Sequence, residues 1–287
     1  MSDPARAARS LHVRRWGTAG RPLLFLHSLG PASSAAFFGL GAEPLVEAGY
    51  SIAAPDLPGF GGSAPLGDSD AYDVEPMAAM TWALADRLGW NRLVLVGHSW
   101  GGAIACHAAA REPARIEALV LVDSGHLDYA TAPGTDLDAS VADLVEQSEH
   151  QRLRLPDRTA VATLIDVDVD DVLVDAFLEG MVEDEDGGLV SATPGIARGP
   201  ALYYLTRAKQ SRTWPVIASN GIPTLLLLAT EPEQARVLNE EGAERFRAAI
   251  PDADVRFVPG ATHSLITDER ERFGATVAAW LAGQRSG

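Results

Sequence analysis

The feature that most restricts this chain is a rhythm. Short apolar runs alternate with helical patterns along 287 residues. "PLLFL" (22–26), "SIAAPD" (51–56), "RLVLV" (92–96), "IEALVLVD" (116–123), "TLLLLA" (224–229) and "VRFVP" (255–259) are apolar, or nearly so, at successive positions, and "LHVRRW" (11–16) reads as a further strand. A strand with apolar side chains on both faces needs cover on both faces. Helical spacing runs through "VEPMAAMTWALADRLG" (74–89), Trp100–Arg111, "EEGAERFRAAI" (240–250) and "DERERFGATVAAWLAG" (268–283). This order predicts an α/β class protein: a mostly parallel central sheet flanked by helices.

The rhythm breaks from Ser124 to Asn220. That segment holds several helical pieces and no convincing buried strand, punctuated by "PGTD", "EDEDGG" and "TPGIARGP". The expectation is a core made of residues 1–123 and 221–287, with residues 124–220 inserted as a helical cap.

One motif stands at a strand-to-helix junction. "GHSWG", Gly97 to Gly101, follows "RLVLV" and opens the small-residue helix. Glycines on both sides of a serine suit a turn too sharp for larger side chains. Such a turn lifts Ser99 to the carboxyl end of the sheet, against the free N–H groups of a helix N-terminus.

Three further stretches join it. "LFLHSLG" ends a strand, "DLPGFGGS" (56–63) follows another, and "VPGATHSLITDERERF" leads into the last helix. With GHSWG, in this order, they resemble the α/β-hydrolase fold superfamily from about His12 to Leu281, least so in the cap. The resemblance is to a serine-nucleophile, esterase- or lactonase-like branch with a helical cap. It implies that Leu29 N–H, in the loop after "LFLH", is one oxyanion donor. Ser28 departs from the glycine usual there, which would carry a strain if that position required positive φ. A serine rather than an aspartate at the elbow argues against the dehalogenase and epoxide-hydrolase branches.

A serine hydroxyl is a weak nucleophile and needs a base in hydrogen-bond reach. His263 stands just beyond "VRFVP", at the end of the sheet where Ser99 emerges. His98 is expected to pack under the elbow, His27 to stabilise its loop, His107 to be packed or on the surface, and His126 to line the pocket. The base needs an acid to orient it. The resemblance implies one in Gly-x-x-Asp after "TLLLLA", where this chain reads Ala229-Thr230-Glu231-Pro232. Glu231 is one residue early and Glu233 one late. The alternative is Asp123, ending "LVLVD". Backbone reach favours Asp123, because Glu231 must make up one position just before a proline. Trp100 N–H, directly after the nucleophile, is the other expected oxyanion donor. Candidate pocket residues are His27, Ser28, Phe37, His126, Tyr203, Tyr204 and Trp214.

Composition excludes several classes. With 23 basic and 39 acidic residues the net charge is −16, unsuited to nucleic acid or anionic membranes. Ten acids and no base lie from Asp166 to Asp186, expected as a solvated face. "DVDVDD" does not fit a calcium loop, because Asp171 and Phe177 stand where glycine and glutamate are needed. The single Cys106 leaves no internal disulfide or cysteine-built metal site. The apolar runs are far short of the ~18 residues of a membrane helix, and no secretory signal is visible at the N-terminus. A cytoplasmic enzyme is expected, with a small-molecule substrate, no cofactor and no metal. The reaction expected is hydrolysis of an ester or lactone of a small, largely apolar neutral substrate. Carbon–carbon bond hydrolysis, cofactor-free perhydrolysis, aminopeptidase action and a slow-turnover ligand receptor remain alternatives.

Overall fold

The computed structural model describes residues 3–132, 135–164 and 169–284. Ten strands occur there: β1 Val13–Trp16, β2 Arg21–Leu26, β3 Tyr50–Pro55, β4 Leu93–His98, β5 Ile116–Val122, β6 Arg154–Leu155, β7 Met181–Glu183, β8 Leu189–Ser191, β9 Thr224–Ala229 and β10 Asp254–Val258. The helices that matter here are α1 Val74–Arg87, α2 Trp100–Arg111, α3 Val141–His150, α4 Asp171–Leu178, α5 Gly195–Arg207, α6 Trp214–Ser219, α7 Glu233–Ala249 and α8 Arg270–Gly283.

The six apolar runs and "LHVRRW" all enter one sheet, ordered β1-β3-β2-β4-β5-β9-β10. Every pairing is parallel except β1 with β3 at the edge. β3, β4 and β9 are buried along their whole length. Apolar side chains on the two faces feed two separate cores. Leu24, Leu95 and Leu121 face one with α1 and α2, while Leu23, Val94 and Val120 face the other with α8. The alanines of α2 let that helix lie close on the sheet; Ala103, Ala105, Ala108 and Ala109 are fully buried. Each buried Leu or Val contributes about 2 kcal/mol through removal from water.

Between β5 and β9 lies the irregular segment. It contains α3 to α6, and also a small antiparallel sheet ordered β6-β8-β7, which sequence periodicity did not reveal. Strands of two or three residues are too short to carry a period. "EDEDGG" is the β7–β8 turn, where Asp184 accepts from the N–H groups of Asp186 and Gly188. The expected solvated acidic face is partly paired. Arg158 bonds Asp171 and Asp175, and Arg270 of α8 bonds Asp170. Asp166 and Asp168 of that run, and the "PG" of "PGTD", lie outside the described residues. No described helix is long and apolar enough to cross a membrane.

Candidate active site

The elbow is built by close backbone approach. A Cβ on Gly97 would lie 2.4 Å from Gly101 O, and one on Gly101 would lie 2.2 Å from Leu26 O. Ser99 itself has φ +54° and ψ −117°, a conformation that costs a non-glycine residue on the order of 1–3 kcal/mol. The turn is held from several sides. Ser99 N–H donates to Val122 O at 3.1 Å, Gly101 N–H donates to His27 O at 3.1 Å, and Ser124 Oγ donates to Ser99 O at 2.5 Å.

Ser99 Oγ lies 2.8 Å from His263 Nε2, and His263 Nδ1 lies 2.6 Å from Asp123 Oδ2. The structure brings Asp123, not Glu231, to the histidine. Asp123 follows β5 directly and turns its carboxylate across the ends of the strands at φ +46°. Glu231 is exposed; its N–H donates to Ala261 O, and its side chain faces a groove beside Pro259, Thr262 and Asp268. Burial works against the Asp123 anion. The bond to His263, the charge of His263 and the Ala229 N–H outweigh it and hold the carboxyl below its ordinary range. The His263 side chain is 56% exposed and that of Asp123 only 7%, so the imidazole meets solvent while the carboxylate does not.

The loop bearing His263 is pinned. Thr262 donates through N–H and Oγ1 to Asp268 Oδ2 at 2.6 and 2.7 Å. His98 Nε2–H donates to His263 O at 2.7 Å. Burial, then the charge of His263, push His98 down to about 3, so the ring is neutral and serves as a fixed donor. Sequence reasoning took His98 as packing only; its bond spans 165 residues of chain, beyond the reach of any local pattern.

Trp100 N–H begins α2 and Leu29 N–H lies in the loop after β2; among the described residues neither has a hydrogen-bond partner. Ser28 is not strained. Ser99 and Asp123 are the described non-glycine residues with positive φ, and Ser28 Oγ bonds Ser33 Oγ at 2.8 Å. His27 accepts from Leu57 N–H at Nε2 and donates from Nδ1 to Ser28 O, which ties both loops together. Burial lowers its pKa.

Of the pocket candidates, His27, Ser28 and Phe37 line a cavity of about 160 Å³ with Phe25, His98 and Phe177. Phe177, from α4, meets Phe37 edge-on at 6.4 Å and was not singled out from sequence. The other candidates are engaged elsewhere. Trp214 Nε1 donates to Gly125 O and its ring packs on Phe246. Tyr204 donates to Asp70 Oδ1, and Tyr203 lies under the Arg207 guanidinium. His126 is buried against Asn239. His107, outside the pocket set, is buried and bonds the exposed Glu75. Among the described residues no group of His, Cys, Asp and Glu has the arrangement of a metal site.

Comparison with known proteins agrees with this architecture. Residues 21–269 match the family model described as alpha/beta hydrolase fold. Lipase LipV of Mycobacterium tuberculosis is 35% identical over 59% of the chain and 60% of its own length. A haloalkane dehalogenase of Bradyrhizobium diazoefficiens is 27% identical over 96% of the chain and 91% of its own length. Three other curated relatives match over 40% or less of their own length. Among solved structures, an esterase from Exiguobacterium antarcticum superposes with TM-score 0.71 over 95% of each chain at 18% identity. The chain belongs to the alpha/beta hydrolase fold family.

Proposed function

We propose that the protein is a serine hydrolase that cleaves an ester or lactone of a small, largely apolar, neutral substrate through an acyl-enzyme. The observation that carries this is the continuous bond path from Ser99 Oγ through both ring nitrogens of His263 to Asp123, at 2.8 and 2.6 Å. His263 Nε2 takes the Ser99 proton as Oγ attacks the carbonyl carbon. Asp123 holds the Nδ1–H tautomer and stabilises the imidazolium. The free N–H groups of Leu29 and Trp100 receive the oxyanion. The imidazolium returns its proton to the leaving alkoxide. Water, deprotonated by His263, then hydrolyses the acyl-Ser99 bond and restores both groups.

The cavity walls support the substrate class. The 160 Å³ space beside His27, Ser28 and Phe37 borders the site through His98 and Ser264, which flank Ser99 and His263 in sequence, and is about the size of one that takes up benzene. The neighbouring groove is lined by Glu231, Asp268 and Glu269, which disfavours anions. Residues 124–220 act in this reading as a cap of helices and the small β6-β8-β7 sheet, with Phe177 as its contribution to the wall. The enzyme would work as a cytoplasmic protein on a small molecule, without metal or cofactor.

Fluorophosphonate labelling and a panel of p-nitrophenyl esters, lactones and amides test the reading. Wild-type protein should label and turn over neutral short esters repeatedly, and Ser99→Ala should do neither. Labelling of Ser99→Ala at the wild-type rate would sink the assignment of the nucleophile. A single acylation without turnover would point to a receptor.

A further inference from the structure

We propose that Asn239 and His126 are positioning residues for Asp123: His126 fixes the amide of Asn239, and Asn239 fixes the carboxylate that faces His263. The proposal rests on the reading of Ser99, His263 and Asp123 given above.

Asp123 divides its two oxygens. Oδ2 faces His263. Oδ1 accepts from Ala229 N–H and from Asn239 Nδ2, each at 2.9 Å. Asn239 sits within α7 and is buried. Asparagine is a poor residue for a helix interior, so its place there calls for a reason beyond the helix. Its amide is fully used. Nδ2 also donates to Ala229 O at 3.1 Å, and Oδ1 lies 2.9 Å from His126 Nε2. Only one orientation satisfies all three partners. Turned over, the amide oxygen would face a carboxylate and a carbonyl, three acceptors with no proton among them. His126 must then be the Nε2–H tautomer. Burial lowers its pKa against the opposing pull of Asn239 and Asp123, so the ring stays a neutral donor.

The helix is cut to admit that ring. Gly242 lies one turn beyond Asn239, and a Cβ there would stand 2.6 Å from His126 Cδ2 and 2.6 Å from Leu127 Cδ2. Asn239 and Gly242 thus serve one purpose three residues apart on one face. Without Asn239 the carboxylate keeps a single donor on Oδ1 and can rotate Oδ2 away from Nδ1. Asp123 leaves its strand at positive φ and has no neighbour in sequence to hold its side chain, so this lateral clamp is what aims it.

The test is a double-mutant cycle on one good ester. Asn239→Leu should lower kcat about tenfold to a hundredfold, the range for groups that orient a reacting residue, with KM unchanged. In the Asp123→Asn background it should cost nothing further, because it acts through Asp123. Asn239→Asp, isosteric, sets an acceptor against Asp123 and should cost at least as much. His126→Gln should keep most activity by supplying an amide donor, while His126→Leu should behave like Asn239→Leu. Equal losses in both Asp123 backgrounds, or none in either, overturn the proposal. A readout free of turnover separates it from the hydrolase reading. The downfield proton signal of His263 Nδ1–H should be present in Ser99→Ala and weakened in Ser99→Ala/Asn239→Leu. An unchanged signal overturns the positioning role whatever the activity assays give.

Discussion

Ser99 and Asp123 share a backbone anomaly: among the described residues they are the two non-glycines with positive φ, at +54° and +46°. They end neighbouring parallel strands, and Ser99 N–H is bonded to the residue just before Asp123. Strain of this kind persists where surroundings enforce it. Here it turns two side chains toward one imidazole.

The acid can be assigned by two isosteric substitutions. Asp123→Asn should cost on the order of 10⁴ in kcat, as the wrong histidine tautomer does in the serine-protease template. Glu231→Gln should stay near wild type, since its side chain lines the groove rather than meeting His263. The measurement is kcat for both on one ester. A crippled Glu231→Gln with an active Asp123→Asn would reverse the assignment.

The elbow tolerates no side chain at its second glycine. Gly101→Ala drives a methyl against backbone, Leu26 O at 2.2 Å, and backbone in a central strand cannot yield. Destabilisation of about 3 kcal/mol is expected, read as a lowered urea midpoint at constant m. Wild-type stability with full activity would show the turn to be looser than its contacts imply.

Acid should unfold the protein through its buried histidines. His98 falls from 6.5 to about 3 on folding, and His27 and His126 are also lowered. Between those limits the unfolded chain binds more protons, so stability rises with pH and is complete above about 6.5. Asp123, lowered from 3.8, acts in the same direction in stronger acid, because its contribution is lost as pH falls through its folded value. The midpoint of thermal unfolding should therefore drop steadily from pH 6.5 toward 3. In His98→Asn that slope should be shallower by about one proton; a slope equal to wild type would mean that His98 is charged in the fold.

The wall between Phe37 and Phe177 should set acyl length. Phe177→Ala opens the 160 Å³ cavity toward the groove and should raise the kcat/KM ratio of hexanoate to acetate esters by roughly tenfold, the worth of a methylene or more in an apolar pocket. An unaltered ratio would place the acyl chain elsewhere.

The sheet was legible because its signal is local: six apolar runs and "LHVRRW" became its seven strands. GHSWG was legible because its glycines answer to a steric demand within five residues. What escaped notice depends on distance. His98 reaches a carbonyl 165 residues away and Asn239 a carboxylate 116 residues away; neither bond leaves a pattern in its neighbourhood. The aromatic residues chosen for the pocket were chosen by type, and type does not reveal direction. Trp214 and Tyr204 found buried or surface partners, while Phe177, amid acids, turned inward. Glu231 and Asp123 were both chemically fit; backbone reach already favoured Asp123, and the turn after β5 brings its carboxylate to His263.

The long span of the relay has a consequence for the growing chain. Ser99 and Asp123 directly follow neighbouring strands, but His263 stands 164 and 140 residues from them. Until the segment beyond β10 has been synthesised, the nascent polypeptide holds Ser99 and Asp123 without His263. On the proposed mechanism, reactivity therefore requires the far edge of the sheet to close, because His263 follows β10.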